Sequence, residues 1–176
     1  MFSQLGCRIP KIIEGFEPKN IFNADETGLF YKALPTQSLS LKRVKCAGGK
    51  LAKERLTCLL ACSITGEKLL PLVIGKAKYP RAFRDAGLKP TGLLVLWRSN
   101  TKAWMTAALF SEWLELINRI MKASKRHILL FLDNATAHPN ITLSNIKLVF
   151  FPPNLTAGAQ PLDQGIIQAV KLGYRR

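Results

Sequence analysis

The sequence predicts an α/β fold, and three features carry that prediction. Apolar runs of strand length are bounded by turn residues. One long segment places apolar residues at spacings of three and four. Five consecutive apolar residues, Ile128-Leu129-Leu130-Phe131-Leu132, suit a central strand covered on both faces.

In chain order, residues 19 to 24 form a short strand that delivers Asp25, and Gly28 marks a turn. Residues 56 to 65 and 69 to 74 are two further strands around a hairpin turn at Gly66-Glu67. Pro71 restricts the second of them to an edge or a bulge, because proline has no N–H to donate. Residues 93 to 98 give another strand, after which Asn100 or Thr101 caps a helix over about 102 to 123. That helix carries Phe110, Trp113, Leu114, Ile117, Ile120 and Met121 on one face, so its aromatics belong to the core. The 128 to 132 strand delivers Asp133 at its carboxyl end, where ligands of open α/β sheets collect. Residues 146 to 151 form the last strand, stopped by Pro152-Pro153. Asp163 then opens a helix whose Ile166, Ile167 and Val170 share its sheet-facing stripe. No internal repeat is present, and Pro152 to Gln160 is the only linker-like stretch.

At 176 residues and 48% hydrophobic content the chain suffices for one sizeable core and is short for two. Its 26 basic and 11 acidic residues leave a net charge of +15, more than solubility requires, which points to a polyanionic partner, nucleic acid first. No apolar run approaches the roughly 20 residues of a membrane-spanning helix, so no membrane partner is expected. Arg8, Lys11 and Glu14 interrupt the first 15 residues, unlike a secretory signal, which predicts an intracellular protein. Cys7, Cys46, Cys58 and Cys62 fit free thiols in a reducing compartment. Cys58 and Cys62 would share one strand face, with no His near enough to complete a zinc pattern.

The positive charge is clustered. Lys42, Arg43, Lys45, Lys50, Lys53 and Arg55 occupy one loop, and Lys76, Lys78, Arg81 and Arg84 follow the third strand. Each cluster is either a solvated surface or a set of phosphate contacts. Of the four aspartates, Asp85 stands among Lys and Arg and is ordinary, whereas Asp25, Asp133 and Asp163 stand at the ends of apolar elements. A carboxylate against a buried element costs several kcal/mol unless a cation compensates it. Singly, the three read as a turn residue, a loop cap and a helix cap. Together they read as one metal site, since phosphodiester cleavage uses two divalent cations roughly 3.5 to 4 Å apart, held by a few carboxylates. Glu26 would point away from Asp25 in a strand. His138, just beyond Asp133, could contact substrate, although a lone histidine in a loop is usually surface decoration or a local hydrogen-bond partner.

The segments around these residues resemble the DDE superfamily endonuclease domain of Tigger and pogo-type transposases, whose domesticated relatives include jerky and centromere protein B. Asn23-Ala24-Asp25-Glu26-Thr27-Gly28-Leu29-Phe30 resembles the first-aspartate block. Pro71 to Lys76, Pro80 to Phe83 and Lys102-Ala103-Trp104-Met105-Thr106 resemble the central blocks. Leu132-Asp133-Asn134-Ala135 with Ala137-His138-Pro139 resembles the second-aspartate block, and Leu148 to Asn154 with Gln160-Pro161-Leu162-Asp163-Gln164-Gly165 the third. The blocks are ordered and run from about residue 20 to the end. The resemblance implies a ribonuclease H-like α/β fold, a mixed sheet of about five strands with the first three antiparallel, flanked by helices. It also implies Mg²⁺- or Mn²⁺-dependent cutting and joining of DNA. Asp25 would bridge two ions, with Asp133 and Asp163 completing one site each.

The expected organisation is a leader over 1–19 and one core over 20–176, in a nuclear DNA-binding protein for which a homo-oligomer is allowed. Family members carry a helix-turn-helix region before this core, so the chain reads as an excised or truncated core. Where the family has Asn-Thr-Thr-Ser and two bulky apolar residues before Gln-Pro, Asn154-Leu155-Thr156-Ala157-Gly158-Ala159 stand here, with less volume and one hydroxyl fewer on the approach to Asp163. A non-catalytic DNA-binding or chromatin protein, or a decayed transposon fragment, is the alternative reading.

Overall fold

Strands β1 (Ile21–Phe30), β2 (Arg55–Ser63), β3 (Leu72–Gly75), β4 (Leu96–Ser99), β5 (Ile128–Leu132) and β6 (Ile146–Phe150) form one mixed sheet in the order β4-β3-β2-β1-β5-β6. The computed structural model describes residues 9–31, 54–151 and 161–175. The first three strands are antiparallel, as expected, while β4, β5 and β6 each pair in parallel with a neighbour. Every strand except β2 therefore runs the same way. The carboxyl ends of β1, β3, β4, β5 and β6 and the start of β2 lie along a single edge of the sheet.

Helix α1 (Ile9–Ile13) packs with Phe16 against Ile21, Leu129, Phe131 and Phe151 on one face. Helix α3 (Ala107–Ala123) covers the other, where Phe110, Trp113, Leu114, Ile117 and Met121 meet Phe22, Ala24, Leu59, Leu72, Ile74 and the even-numbered residues of β5. Trp113 is fully buried and its indole N–H donates to Leu70 O at 2.8 Å, which satisfies its one polar atom. All five β5 residues are buried, as their unbroken apolar run predicts. At the far edge, Arg126 pairs with Glu67 through two hydrogen bonds of 2.6 and 2.9 Å. It also donates to Asn20 Oδ1 and Lys19 O, which joins the starts of β1 and β5 to the end of β2.

Several boundaries differ from the sequence expectation, each for a local reason. Strand β1 continues past Gly28 to Phe30 because β2 stays paired with it throughout. Strand β3 starts at Leu72, since Pro71 contributes only a carbonyl, which accepts from Leu96 N. Strand β4 starts at Leu96, and Leu94 is solvent-exposed. The long helix starts at Ala107, capped by Thr106 Oγ1 accepting from Leu109 N, because Asn100 nucleates a turn that occupies residues 100 to 104. Ile120 is on the exposed rim of that helix instead of in the core. A short helix α2 (Arg81–Asp85) sits in the β3–β4 crossover, and Asp85 pairs there with Arg81.

The last helix is the largest departure. Leu162–Ile166 winds as a π-type turn, with Ile167 N–H donating to Leu162 O, before α4 (Ile167–Arg175) becomes regular. The extra residue in that turn shifts the buried stripe, so Leu162 and Ile167 are covered while Ile166 and Val170 are exposed.

The hairpin turn needs Gly66, at φ 87°. Gly75 is a glycine for a different reason: a Cβ built there would lie 2.5 Å from two ring carbons of Trp97. That indole cannot retreat, because it donates to the Ala77 and Lys78 carbonyls and packs edge-on against Phe83. Gly75→Ala should therefore lower the unfolding free energy by about 1 to 3 kcal/mol in urea denaturation, the range for overpacking a well-filled core.

Candidate active site at the sheet edge

Continued two residues past its last pair, the β1–β5 register aligns the position of Asp25 with that of Asp133. Ile21, Phe22 and Asn23 pair with Leu129, Leu130 and Phe131, partners 108 positions apart, and the two aspartates have that same separation. Pairing with β5 ends at Asn23 while pairing with β2 continues to Phe30, so Asp25 occupies the stretch of β1 from which β5 diverges. The Asp25 side chain is only 8% exposed, and its Oδ1 accepts from Glu26 N at 2.7 Å.

Asn23 fixes this geometry. Its buried amide donates to Phe131 O at 3.2 Å, across the strand pair, and its Oδ1 accepts from Leu162 N at 3.2 Å. The residue immediately before Asp163 is thereby tethered to the strand that bears Asp25. The backbone of Asp163 lies in the π-type turn, and its side chain is outside the described residues.

Asp133 opens a turn in which its Oδ1 faces Ala135 N at 3.4 Å and Ala135 O accepts from His138 N at 3.0 Å. That turn folds the His138 ring inward against Phe110, with centroids 4.2 Å apart. The imidazole is completely buried. Its Nδ1 is 2.6 Å from Asp133 Oδ1, and its Nε2 is 2.7 Å from Glu26 Oε1. Burial alone would push the imidazole down, but hydrogen bonds to Asp133 and then Glu26 outweigh it and raise the group to about 10. His138 is thus an imidazolium that donates from both nitrogens to two carboxylates. Its hydrogen bond holds Asp133 below the ordinary carboxylate range.

His138 is not surface decoration; it is the local hydrogen-bond partner that the sequence allows, on Asp133, and it also reaches Glu26 across the sheet edge. The available signal was the pairing of an acidic residue on an inward β1 position with a His a few residues beyond a strand-terminal Asp. Glu26 does point away from Asp25, and that orientation is what brings it to His138.

The basic residues divide. Lys76, Lys78, Arg81 and Arg84 are exposed on the crossover leaving the carboxyl end of β3, along the same edge as Asp133. Arg55 begins β2 opposite Phe30 and lines a cleft with Glu26 and Trp104. Lys42, Arg43, Lys45, Lys50 and Lys53 lie outside the described residues. Among the described residues, no group of three His, Cys, Asp or Glu side chains is arranged to hold a metal, and no helix is long and apolar enough to cross a membrane. Cys58 is a free buried thiol that burial pushes up to about 11, and Cys62 is free and half-buried.

The His138 network should appear in the pH dependence of stability. The unfolded imidazole titrates near 6.5 and the folded one near 10. The stabilisation is therefore complete below about 6.5 and is lost as pH rises through about 10. Unfolding free energy from denaturant titration should fall across that window, and His138→Gln, which retains hydrogen-bonding capacity without the charge, should flatten the slope.

Comparison with known proteins agrees with this architecture. The family model described as DDE superfamily endonuclease matches residues 53–176. Tigger transposable element-derived protein 4 of Mus musculus is 40% identical over 169 residues, covering 95% of this chain and 32% of that protein. CENP-B homolog protein 2 of Schizosaccharomyces pombe is 42% identical over 179 residues, covering 96% and 34%. Major centromere autoantigen B of Homo sapiens is 34% identical over 173 residues, covering 95% and 27%. The chain thus spans about a third of the length of these relatives. Among solved structures, the Mos1 mariner paired end complex with Mn superposes with a TM-score of 0.61 at 11% identity, over 97% of this chain and 47% of that one. The fold is ribonuclease H-like, and the chain belongs to the DDE superfamily endonuclease family.

Proposed function

We propose that this chain is a transposase-derived endonuclease core that cuts and joins DNA strands with divalent metal, Mg²⁺ or Mn²⁺, held by Asp25, Asp133 and Asp163. The observation that supports the reading is the β1–β5 register, which aligns the positions of Asp25 and Asp133 when it is continued past its last pair, together with the tether of Leu162, the residue before Asp163, to Asn23. The donor set fits the metal: carboxylate oxygens suit hard cations of this kind, and the Asp133 carboxylate engages its protein partners through one oxygen, Oδ1. When bound, a pair of such ions supplies an activated nucleophile and stabilises charge on the attacking and leaving oxygens. The protein's own part is orientation. His138 holds Asp133 in one rotamer through Nδ1 and is itself held by Glu26 through Nε2, as a hydrogen-bonded partner of a metal ligand does.

Lys76, Lys78, Arg81 and Arg84 would contact DNA phosphates along this edge, and Arg55 would do so from the start of β2. A DNA-handling protein of this kind would act in the nucleus. The second reading is a DNA-binding protein without catalysis, which the net charge of +15 would serve equally well.

Nicking of supercoiled plasmid decides between the two. The wild-type chain should relax it with Mn²⁺ or Mg²⁺ and not with EDTA. Asp25→Asn and Asp133→Ala should reduce nicking to background, while His138→Gln should lower it by about 10- to 100-fold. Undiminished nicking by Asp133→Ala would remove the three-aspartate site, and DNA binding without nicking would establish the second reading. For the basic crossover, the double variant Lys76→Ala/Lys78→Ala should weaken duplex binding regardless of sequence. It should also reduce the slope of log affinity against log salt by about 0.9 for each phosphate that the variant leaves unneutralised, read from anisotropy titrations at several salt concentrations.

A further inference from the structure

Trp104 is 55% exposed on a loop that is otherwise tightly built. Asn100 Oδ1 accepts from the backbone N–H of Lys102 and Trp104 at 3.2 and 3.1 Å, and its amide donates to Trp104 O at 2.7 Å. Ala103 is completely buried at φ 51°, in the left-handed region, and its carbonyl accepts from Thr57 Oγ1 at 2.6 Å. A non-glycine residue in that region is strained, and such strain concentrates at functional sites. The loop spends this strain on holding an indole outward, where it adds little to the core.

Two cations attend the ring. The guanidinium carbon of Arg55 lies 5.1 Å from its centroid, and Lys102 Nζ lies 5.8 Å away. Arg55 Nε is buried with no hydrogen-bond partner, alone in this among the described side chains. The indole and Arg55 line a cleft of about 260 Å³ with Glu26, Thr27, Gly28, Thr57 and Met105. The loop follows the carboxyl end of β4, so the cleft opens on the edge that carries Asp25 and Asp133. Glu26 belongs both to the cleft and to the His138–Asp133 network.

We infer that Trp104, with Arg55 and Lys102, is a stacking platform for one unpaired DNA base beside the cleavage centre, its flanking phosphates held by the two cations. A partly exposed indole beside guanidinium and ammonium groups matches a single strand, which offers a base face and a phosphate within one nucleotide. Paired bases in a duplex interior present only their edges, so the platform selects DNA that is unpaired at this point. Glu26 lines the same cleft and adds a polar group beside the base without fixing its identity. The inference rests on DNA being the ligand, as proposed above.

The test uses the whole chain and a fluorescein-labelled oligonucleotide, single-stranded or annealed as a blunt duplex, with affinity read by anisotropy at fixed salt. Trp104→Ala should weaken single-strand binding by about 5- to 100-fold, matching the removal of one base–aromatic stack, and should leave duplex affinity within about two-fold. Trp104→Phe, which keeps an aromatic face, should recover most of the loss. In the unaltered protein, 2-aminopurine at one position of the single strand should be quenched on binding. Equal single-strand affinity in Trp104→Ala, an equal loss on duplex, or no quenching at any position would overturn the platform while leaving the nuclease reading intact. If the wild-type chain binds neither form of DNA, both fall.

Discussion

The position of β5 against β1 is the constraint on which the rest of the sheet edge depends. A parallel strand buried on both faces cannot choose its own register by alternation, because every one of its residues is apolar; Ile128 to Leu132 would fill the layer equally well one residue out of step. The choice is made by polar contacts that tolerate no slip. Asn23 bridges to Phe131 O inside the core, and Arg126, just before β5, is clamped to Glu67, Asn20 and Lys19 at the other end. A shift of one residue would break both. With the register held at its two ends, Asp25 and Asp133 keep matching positions in β1 and just past β5 without a dedicated loop to align them.

Sequence reading recovered what periodicity encodes. The α3 aromatics fall on a 3.6-residue stripe and are buried, and the unbroken run at 128 to 132 is the covered strand beside the centre. It failed where a side chain, not a pattern, sets the backbone. Nothing in residues 100 to 106 reveals that Asn100 draws three backbone groups around itself and delays the helix to Ala107. The π-type turn at Leu162 is equally invisible, since its consequence is a phase shift and not a change of composition. At the site, the aspartates stood out because carboxylates beside apolar strands are costly. His138 did not, because a histidine in a loop is commonplace until the fold buries it between two acids.

The two edges of the sheet divide the work. At one, Arg126 satisfies its guanidinium on a carboxylate, a side-chain amide and a backbone carbonyl, an arrangement that stitches three segments together. At the other, exposed Lys and Arg side chains and an outward indole surround the acidic network. Both edges therefore hold their segments through buried or half-buried ion pairs, Arg126 with Glu67 at one and His138 with Asp133 and Glu26 at the other.

The buried imidazolium also bears on the order of events in the life of the molecule. Carboxylates gathered for a cation repel one another until that cation arrives, and a chain relying on it would have to load metal in order to fold. Here a positive charge is covalently part of the chain: His138 hydrogen-bonds to both Asp133 and Glu26 and offsets one of their two negative charges from within. The two acids are thus held together by a charge that the chain itself supplies, so this part of the edge is set as the chain folds.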